Sequence, residues 1–546
     1  MVSTLVGTEG LGNFSVMPFC FAMLPPPSHH PFFLFVRARC PRPILGLIVA
    51  LLLSLAPTQS FAADSLDGSA PLAQALQLIS ADRMLADIRA LSGPEFNGRQ
   101  TGTPDDLSSA EFVRQRFLQL QGHQSPGTKP SDMADSLNDH THLQSTSVGT
   151  TSIGHNPLVH LALTPDAAPD QIGIDYLPVL DSPSANLQTS IVFVGYGISD
   201  QGGGFDEYAG IDVRDKVVLF LRGKPDRYSK QVSHSEKVHA AHAHGALAYL
   251  TATGPILNAY ETRRGVTGQP SAFYAVTEPG RTIPGAWIST ARAMAILDAG
   301  RAANDDRLRT LQQNLNEGRL PQSTATDTVV TMRWHSAEQD GTLHNVVFIV
   351  PGTDQAKAEG AIVVGAHRDH FGKQGGLLFA GADDNASGTA VLLEVARVLQ
   401  SLPVKPKRSI VLISFSGEEQ GLLGSKFYIG QPVVPLRSTL AMLNVDHAAV
   451  GNGRLTIGVT GTEKAAAQQA GQAAGLADRL DVFGFFPGGD HVPFKEAGIP
   501  TVTVVSGGVH PHFHQPTDTA ETVNPDILVA AARYVLAMLW QLADAP

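Results

Sequence analysis

Cysteine is almost absent from the 546-residue chain, and both cysteines, Cys20 and Cys40, lie near its N-terminus. Behind them an apolar run, Ile44–Ala56, follows three arginines and precedes the small-residue sequence Ser60-Phe61-Ala62-Ala63. A basic segment, an apolar stretch of this length and a small-x-small site are typical of a secretory signal. Cleavage near Ala62 leaves a mature protein without cysteine, which excludes disulfides and thiolate catalysis. Because residues 1–35 exceed the usual basic segment, we expect the true start to lie further downstream.

The chain also has no excess of basic residues. It contains 39 Lys and Arg and 50 Asp and Glu, which gives a net charge of −11. Nucleic-acid-binding proteins need a basic footprint, so that class is excluded. The run Ile44–Ala56 is too short to cross a bilayer, and no later segment is a better candidate. We therefore predict a periplasmic or secreted protein with no stable membrane span after signal removal. Its oligomeric state stays open.

After the predicted signal region, residues 1–62, the composition and periodicity of the sequence change twice. Residues 63–185 carry a helix capped by Ser80 and a second amphipathic helix, and they form the N-terminal part of the predicted catalytic domain. Within them, residues 122–156 are rich in Ser, Thr, Gly and His without periodicity, which predicts a long loop. Residues 186–305 hold short strand-like runs between Gly- and Asp-rich turns, as expected of a small β-rich domain.

Residues 325–546 alternate apolar strand-like runs with helical segments. Five runs are apolar almost throughout, as in strands covered on both faces: Asn345–Val350, Ala361–Gly365, Ser409–Phe415, Leu440–Val445 and Pro500–Val505. A crossover helix over Ala390–Leu399 is apolar on nearly every side. This order predicts an α/β fold, with a mostly parallel, doubly wound sheet flanked by helices and a small β-rich domain inserted before it.

Titratable side chains follow these runs at the point where each predicted strand ends, or precede the buried helix. They are His367, Asp369, Asp384, Glu418, Glu419, Asp446 and His514. In open α/β sheets the ligand crevice lies outside the carboxyl ends of the strands, so we expect these side chains to meet there.

The residue types suit a pair of metal ions. Zinc takes imidazole nitrogen and carboxylate oxygen, and two neighbouring ions need a bridging carboxylate, which Asp384 can supply. Asp369 can accept a hydrogen bond from the ring nitrogen of His367 that the metal does not use. With Glu419 turned toward a metal, the adjacent Glu418 can act as general base toward activated water.

Six segments of the chain resemble peptidase family M28, which includes bacterial and fungal zinc aminopeptidases and glutamate carboxypeptidase-like enzymes. They are Gly365-Ala-His367-Arg-Asp369-His370, Gly381-Ala-Asp-Asp384-Asn-Ala-Ser-Gly388, Ser416-Gly-Glu418-Glu419, Asn444-Val-Asp446, Gly489-Asp490-His491 and Phe513-His514-Gln-Pro-Thr-Asp518. The resemblance implies the zinc exopeptidase fold and two Zn²⁺ ions per chain. It assigns His367 and Asp446 to one ion, Glu419 and His514 to the other, Asp384 to the bridge and Glu418 to the base.

Residues 186–305 resemble a protease-associated domain, which in this family is inserted near the active site. The resemblance rests on Phe193-Val-Gly-Tyr-Gly-Ile198, Asp215-Lys-Val-Val-Leu219 and Gly245-Ala246. The chain departs from the family at Arg368, where Tyr is common, at Gly489, where Ser is common, and at His447, where an apolar residue is usual.

The sequence therefore predicts a di-zinc exopeptidase acting on peptides, most readily an aminopeptidase. A carboxypeptidase of the same family is chemically equivalent, and it would need a basic group such as Arg368 to hold the substrate carboxylate. A glutaminyl cyclase-like enzyme uses one zinc, against which the five predicted ligands argue. A non-catalytic binding homologue would lack ligands or the base, whereas this chain keeps all six residues.

Overall fold

The structure is a computed structural model that describes residues 69–121, 140–163, 169–257, 262, 266–278, 280–300, 306–357 and 360–545. The predicted signal region, residues 1–62, lies outside the described residues.

The described strands, in chain order, are β1 Thr141–Ile153, β2 Leu158–Ala162, β3 Tyr176–Pro178, β4 Ala185–Phe193, β5 Ser199–Asp200, β6 Phe205–Asp206, β7 Val217–Leu221, β8 Ala248–Ala252, β9 Gly285–Ile288, β10 Thr324–Trp334, β11 Ser336–Val350, β12 Ala361–His367, β13 Gly372–Gln374, β14 Leu377–Phe379, β15 Ser409–Phe415, β16 Thr439–Val445, β17 Leu455–Thr460, β18 Leu480–Phe483 and β19 Thr501–Ser506. The described α-helices are α1 Ser69–Gln77, α2 Ala81–Leu91, α3 Pro104–Gln121, α4 His234–Ala243, α5 Thr290–Asp298, α6 Arg307–Asn316, α7 Gly388–Ser401, α8 Leu423–Gly430, α9 Lys464–Ala473, α10 His491–Glu496 and α11 Pro525–Asp544.

The main sheet has the strand order β1-β11-β15-β12-β16-β19-β17-β18. Its four central strands, β15, β12, β16 and β19, run parallel, as their continuous apolar sequences predict. Helices α2, α3, α7 and α11 contribute to the hydrophobic core on one face. Tyr428 of α8 and Phe494 of α10 pack on the other face, against Phe415 and Met442. The predicted α/β sheet, covered on both sides by helices, is confirmed.

A second sheet has the order β2-β10-β4-β7-β8-β9-β3, with β4, β7, β8 and β9 parallel. We call residues 158–334, which contain its strands, the inserted module, because β1 and β11 of the main sheet flank them in sequence. The module extends beyond the predicted range 186–305 on both sides. Helices α4, α5 and α6 pack against this sheet and complete its two hydrophobic cores.

The prediction of a loop over residues 122–156 is wrong for residues 141–153, which form β1. This edge strand pairs antiparallel with β11 over its whole length. Its Ser- and Thr-rich sequence shows little apolar alternation because most of its side chains remain at least partly exposed. Residues 122–139 lie outside the described range.

Helix α11 is the one described helix whose length and apolar composition would suffice to cross a membrane. Its first residue is proline and the side chain of Asn524 caps it. About 72% of its apolar window is buried inside the protein, against α7, α9 and the main sheet. Its apolar character is that of a core helix.

Candidate metal centre

Four neighbouring parallel strands end at one edge of the main sheet and present the predicted site residues there. His367 is the last residue of β12, Asp446 follows β16 directly, and Glu418 and Glu419 follow β15. His514 lies in the loop after β19. The structure thus brings together, at the carboxyl ends of the strands, residues that are up to 147 positions apart in the sequence.

Asp384 reaches the same edge from the turn Ala382–Ser387, which precedes α7. The peptide bond between Asp384 and Asn385 is cis. Beneath the turn, the fully buried guanidinium of Arg99 donates to the carbonyl oxygens of Ala380 and Gly381, each at 2.7 Å. The turn is therefore held from below by a buried cation to which the sequence analysis assigned no role.

Two sets of donor atoms meet around Asp384. In the first set, His367 Nε2 lies 3.4 Å from Asp384 Oδ1 and 3.3 Å from Asp446 Oδ1. In the second, His514 Nε2 lies 2.9 Å from Asp384 Oδ2 and 3.4 Å from Glu419 Oε2. Two ligands bonded to a tetrahedral zinc at ~2.0–2.2 Å are roughly 3.3–3.6 Å apart. Three of the four separations are of this size, so each set suits a common ion better than direct hydrogen bonds.

The histidine tautomers support this reading. His514 Nδ1 lies 2.8 Å from the carbonyl oxygen of Ala272, which can only accept, so Nδ1 carries a proton and Nε2 is turned toward the carboxylates. His367 Nδ1 lies 3.3 Å from the main-chain oxygen of Asp369, which orients that ring in the same way. In both rings Nε2 therefore faces carboxylate oxygens, an arrangement that a bound metal cation would satisfy. Two imidazole nitrogens face Asp384 Oδ2, His514 Nε2 at 2.9 Å and His447 Nε2 at 3.1 Å. The donor set therefore fits zinc.

Asp369 lies behind the donor atoms and is completely buried. Besides facing His367, with Oδ1 3.6 Å from its Nδ1, it accepts hydrogen bonds from the backbone N–H groups of Glu418 at 3.3 Å and Glu419 at 3.4 Å. The hydroxyl of Thr101 donates to it at 3.0 Å. One carboxylate thus orients an imidazole and the backbone that carries both glutamates.

Glu418 is partly exposed at the floor of the site. Burial, against the opposing charge of His367 and aided by the carboxylates of Asp446 and Asp490, raises the pKa of Glu418 to about 8. A general base works best when its pKa lies near the operating pH, because it must both take and return a proton. The direction of this shift is compatible with the predicted role of Glu418 as general base.

Two further histidines belong to the site. His370 is buried, and its Nδ1 lies 2.8 Å from Glu419 Oε1. His447 Nε2 lies 3.1 Å from Asp384 Oδ2 and 3.5 Å from Asp446 Oδ1. Neither was among the predicted ligands, although each adjoins a predicted site residue in the sequence. That adjacency is the signal that could have identified them.

Arg368 does not face the site. Its side chain is completely buried on the other side of the strand end, where Nη2 lies 2.5 Å from Asp106 Oδ1. Nε donates to Ser109 Oγ at 3.1 Å, and Nη1 donates to the carbonyl oxygens of Ser414 and Phe415 at 3.2 Å each. The suggestion that Arg368 could hold a substrate carboxylate is therefore wrong.

A buried carboxylate, Asp518, positions the turn that carries the bridging candidate. It accepts hydrogen bonds from the backbone N–H groups of Asp383 at 2.9 Å and Asp384 at 3.0 Å. The Asp383 carboxylate in turn accepts from the Ala449 N–H at 2.9 Å and lies 2.6 Å from His510 Nδ1. Asp384 thus sits on a scaffold of charge-assisted hydrogen bonds.

Replacing Asp518 by alanine is expected to weaken zinc binding by about 10–100-fold, the usual cost of losing a group that orients a metal ligand. Both buried N–H groups would lose their acceptor, so the backbone of Asp384 would no longer be held in place. Competition with a chromogenic chelator measures the affinity. Asp478→Ala, at an exposed position, is the control. Wild-type affinity in the Asp518 variant would contradict the positioning role.

The inserted module contacts this centre directly. Two hydrogen bonds join Ala272 and His514. The Ala272 N–H donates to the His514 carbonyl at 3.0 Å, and the His514 ring donates from Nδ1 to the Ala272 carbonyl at 2.8 Å. Next to them, the Gln515 amide donates to Pro270 O at 2.6 Å and lies 3.0 Å from Ser271 Oγ. The segment 270–272 therefore fixes the tautomer and the direction of His514.

A cavity of about 560 Å³ opens above the donor atoms. One part of its lining consists of His367, Asp384, Glu418, Glu419, Asp446 and His514. The other part is dominated by apolar side chains, namely Phe483, Phe485, Phe486, Val505, Val509 and Phe513. We call it the apolar cavity. A polar, convergent floor beneath an apolar wall is typical of a small-molecule site.

Comparison with known proteins agrees with this geometry. Residues 345–539 match the profile described as peptidase family M28. Aminopeptidase YwaD of Bacillus subtilis is 32% identical over 172 residues, covering 30% of this chain and 37% of that protein. A probable leucine aminopeptidase of Arthroderma otae is 30% identical over 211 residues, covering 36% of this chain and 57% of the relative. The chain thus spans only part of the length of these curated relatives.

The fold extends further than the sequence similarity. The crystal structure of a peptidase M28 precursor from Shewanella amazonensis superposes with a TM-score of 0.62 over 88% of this chain and 97% of that one, at 19% identity. At this identity the likeness is one of fold. The link to peptidase family M28 rests on the profile match to residues 345–539.

Proposed function

We propose that this chain, part of which matches peptidase family M28, is a secreted or periplasmic exopeptidase. It would bind two zinc ions and remove N-terminal residues from peptides. The observation that carries the proposal is the pair of donor sets that share Asp384, with Glu418 beside them. Each set supplies one imidazole, one terminal carboxylate and one oxygen of Asp384.

Bound zinc would polarise the scissile carbonyl and lower the pKa of water. The protein's own residues perform the remaining tasks. Glu418, with a pKa of about 8, takes the proton of the attacking water and passes it to the leaving amine. Asp369 holds the backbone N–H of Glu418 and so sets where its carboxylate lies. The carboxylates of the floor favour a cationic α-amine over an N-blocked end.

The apolar cavity supports a preference for large apolar residues at the substrate N-terminus. Its phenylalanine wall would desolvate a leucine or phenylalanine side chain, whereas a charged side chain would lose hydration without a partner. The protein named leucine aminopeptidase among the relatives agrees with this preference.

The alternatives receive less support. A one-zinc glutaminyl cyclase-like site leaves the second donor set without a purpose, and a binding protein needs no general base. A carboxypeptidase loses its proposed anchor, because Arg368 is buried and paired with Asp106.

A panel of aminoacyl p-nitroanilides tests the proposal. We expect Leu and Phe derivatives to be cleaved with kcat/KM at least about tenfold above Lys and Asp derivatives, and the N-acetyl-Leu derivative to be inert. A chelator should abolish the activity, and zinc should restore it at about two ions per chain. Cleavage of the N-acetylated derivative alone would refute the aminopeptidase assignment. Full activity with one zinc per chain would refute the two-ion site.

A further inference from the structure

His447 follows Asp446 directly, and its side chain faces the donor atoms at the end of the main sheet. Its imidazole Nε2 lies 3.1 Å from Asp384 Oδ2 and 3.5 Å from Asp446 Oδ1. The side chain is partly exposed and belongs to the lining of the apolar cavity. His447 stands where an apolar residue is usual in the family, and the proposed base and five proposed ligands leave it without a task.

The backbone at His447 brings its ring to the donor atoms through an uncommon conformation. Successive side chains of an extended chain point to opposite sides, as those of His367 and Arg368 do at the end of β12. Asp446 and His447 also follow a strand, yet both side chains reach the same place, because His447 has a φ of 44° and turns the chain. Residues other than glycine adopt this left-handed region rarely, and those that do cluster at functional sites.

Contacts from the loop after β19 and from its last residue hold His447 in this position. Ser506 donates to the carbonyl oxygen of His447 from its backbone N–H at 2.9 Å and also from its hydroxyl. The ring of Phe513 stands nearly perpendicular to the imidazole, with the two ring centroids 5.0 Å apart. Because backbone and ring are already ordered, a ligand that binds Nε2 costs little conformational entropy.

Both oxygens that His447 faces also face another imidazole. Asp446 Oδ1 lies 3.3 Å from His367 Nε2. Asp384 Oδ2 lies 2.9 Å from His514 Nε2. Two ligands of one tetrahedral zinc ion are roughly 3.3–3.6 Å apart. The separation of 3.5 Å between His447 Nε2 and Asp446 Oδ1 has this size, whereas the 3.1 Å to Asp384 Oδ2 is shorter. The distances therefore associate His447 with the first donor set, to which Asp446 belongs.

We propose that His447 is a fourth protein ligand of the zinc ion that the first donor set holds. The inference rests on the two-zinc centre of the proposed function and adds a ligand to it. The first ion would have two imidazoles and two carboxylates, and the second would have three protein ligands. Four protein ligands are typical of firmly held zinc, whereas a catalytic zinc keeps one position open. The two ions therefore differ: the first is the tighter one, and the open position belongs to the ion of His514 and Glu419.

Zinc binding to the full chain tests the proposal independently of activity, by competition with a chromogenic chelator. In His447→Asn the tighter of the two dissociation constants should rise more than about 100-fold, beyond the roughly 10–100-fold that loss of an orienting group costs. Asparagine tolerates the left-handed backbone, and its shorter side chain does not reach the position of Nε2. His447→Gly also tolerates this φ and should show the same loss. His242→Asn, at an exposed histidine of the inserted module, is the control and should keep both constants.

X-ray absorption at the zinc edge, with one equivalent of zinc bound, counts the imidazoles around the tighter ion. We expect two imidazoles in the wild type and one in His447→Asn. A wild-type count of one would overturn the proposal, and so would a His447→Asn variant that binds zinc as tightly as the wild type. Weaker binding with an unchanged count of imidazoles would make His447 a hydrogen-bond partner of Asp384, which overturns its role as a ligand.

Leu-p-nitroanilide separates this inference from the proposed function. If the wild type has two imidazoles at the tighter ion and does not cleave this substrate, the aminopeptidase fails and the ligand role of His447 stands. Cleavage by a wild type with one imidazole at that ion would have the opposite meaning. A wild type that takes up one zinc in total would refute the two-ion centre, and two imidazoles at that single ion, falling to one in His447→Asn, would still support His447 as a ligand.

Discussion

Replacing Glu418 by glutamine is expected to lower kcat by about 10²–10⁴-fold, the usual contribution of a general base, while zinc content stays that of the wild type. Glutamine keeps the shape of the side chain and cannot take a proton. The backbone N–H of Glu418 that donates to Asp369 is unchanged, so the loop keeps its anchor. The measurement pairs steady-state kinetics on Leu-p-nitroanilide with metal analysis of the same samples.

Glu496→Gln is the matched control for this variant, because Glu496 is exposed at the end of α10. It should show wild-type kcat and wild-type zinc. A Glu418→Gln protein that loses zinc along with activity would make Glu418 a ligand, and a decrease of less than tenfold would remove it from proton transfer altogether.

Replacing Arg368 by leucine is expected to lower the free energy of unfolding by about 3–5 kcal/mol, the cost of leaving one member of a buried ion pair alone. Asp106 would keep a carboxylate inside the protein, and the carbonyl oxygens of Ser414 and Phe415 would lose their donor. Urea titration monitored by circular dichroism measures the change. The residual activity on Leu-p-nitroanilide should retain the wild-type KM, because Arg368 does not reach the site.

This loss should depend on pH. Burial, opposed by Arg368, raises the pKa of Asp106 to about 6, so its neutral form is already favoured in the folded wild type below that pH. A raised carboxyl pKa means that stability falls as pH rises from the unfolded value toward the folded one. Without Arg368 the folded pKa rises further, so the deficit relative to wild type should grow from about pH 6 upward.

Two comparisons accompany the Arg368 variant. Arg437→Leu removes an exposed arginine and should change the free energy of unfolding by less than about 0.5 kcal/mol. The double replacement Arg368→Leu with Asp106→Leu should recover part of the loss, because no buried charge remains unpaired. A single Arg368 variant as stable as Arg437→Leu would contradict the view that Arg368 is a structural residue.

The parallel strands of the main sheet and the position of the site could be predicted because short, continuous stretches of sequence indicate both. Ser409–Phe415 is an unbroken apolar run, and Glu418 and Glu419 follow it at once. Strand β1 has no such signature, since its partner β11, about 200 positions away, determines its pairing.

The direction in which the side chain of Arg368 points could also have been predicted from the sequence. Successive side chains of a strand point to opposite faces, so a residue next to the ligand His367, at the end of β12, should face away from the site. By contrast, nothing near His514 indicates that Ala272 holds its ring, since the two residues are 242 positions apart. Long-range contacts of this kind determine the orientation of the site's side chains, and they leave no local pattern in the sequence.

The bond between Ala272 and His514 has a consequence for how the protein is assembled. All three residues of the second donor set lie outside the inserted module, but the acceptor that fixes the imidazole of His514 is a backbone carbonyl from residues 158–334. A truncated protein without the module would lose that acceptor, and a transplanted module would need a backbone carbonyl at the position of Ala272. Zinc affinity at His514 is therefore expected to depend on whether the two parts of the chain have docked.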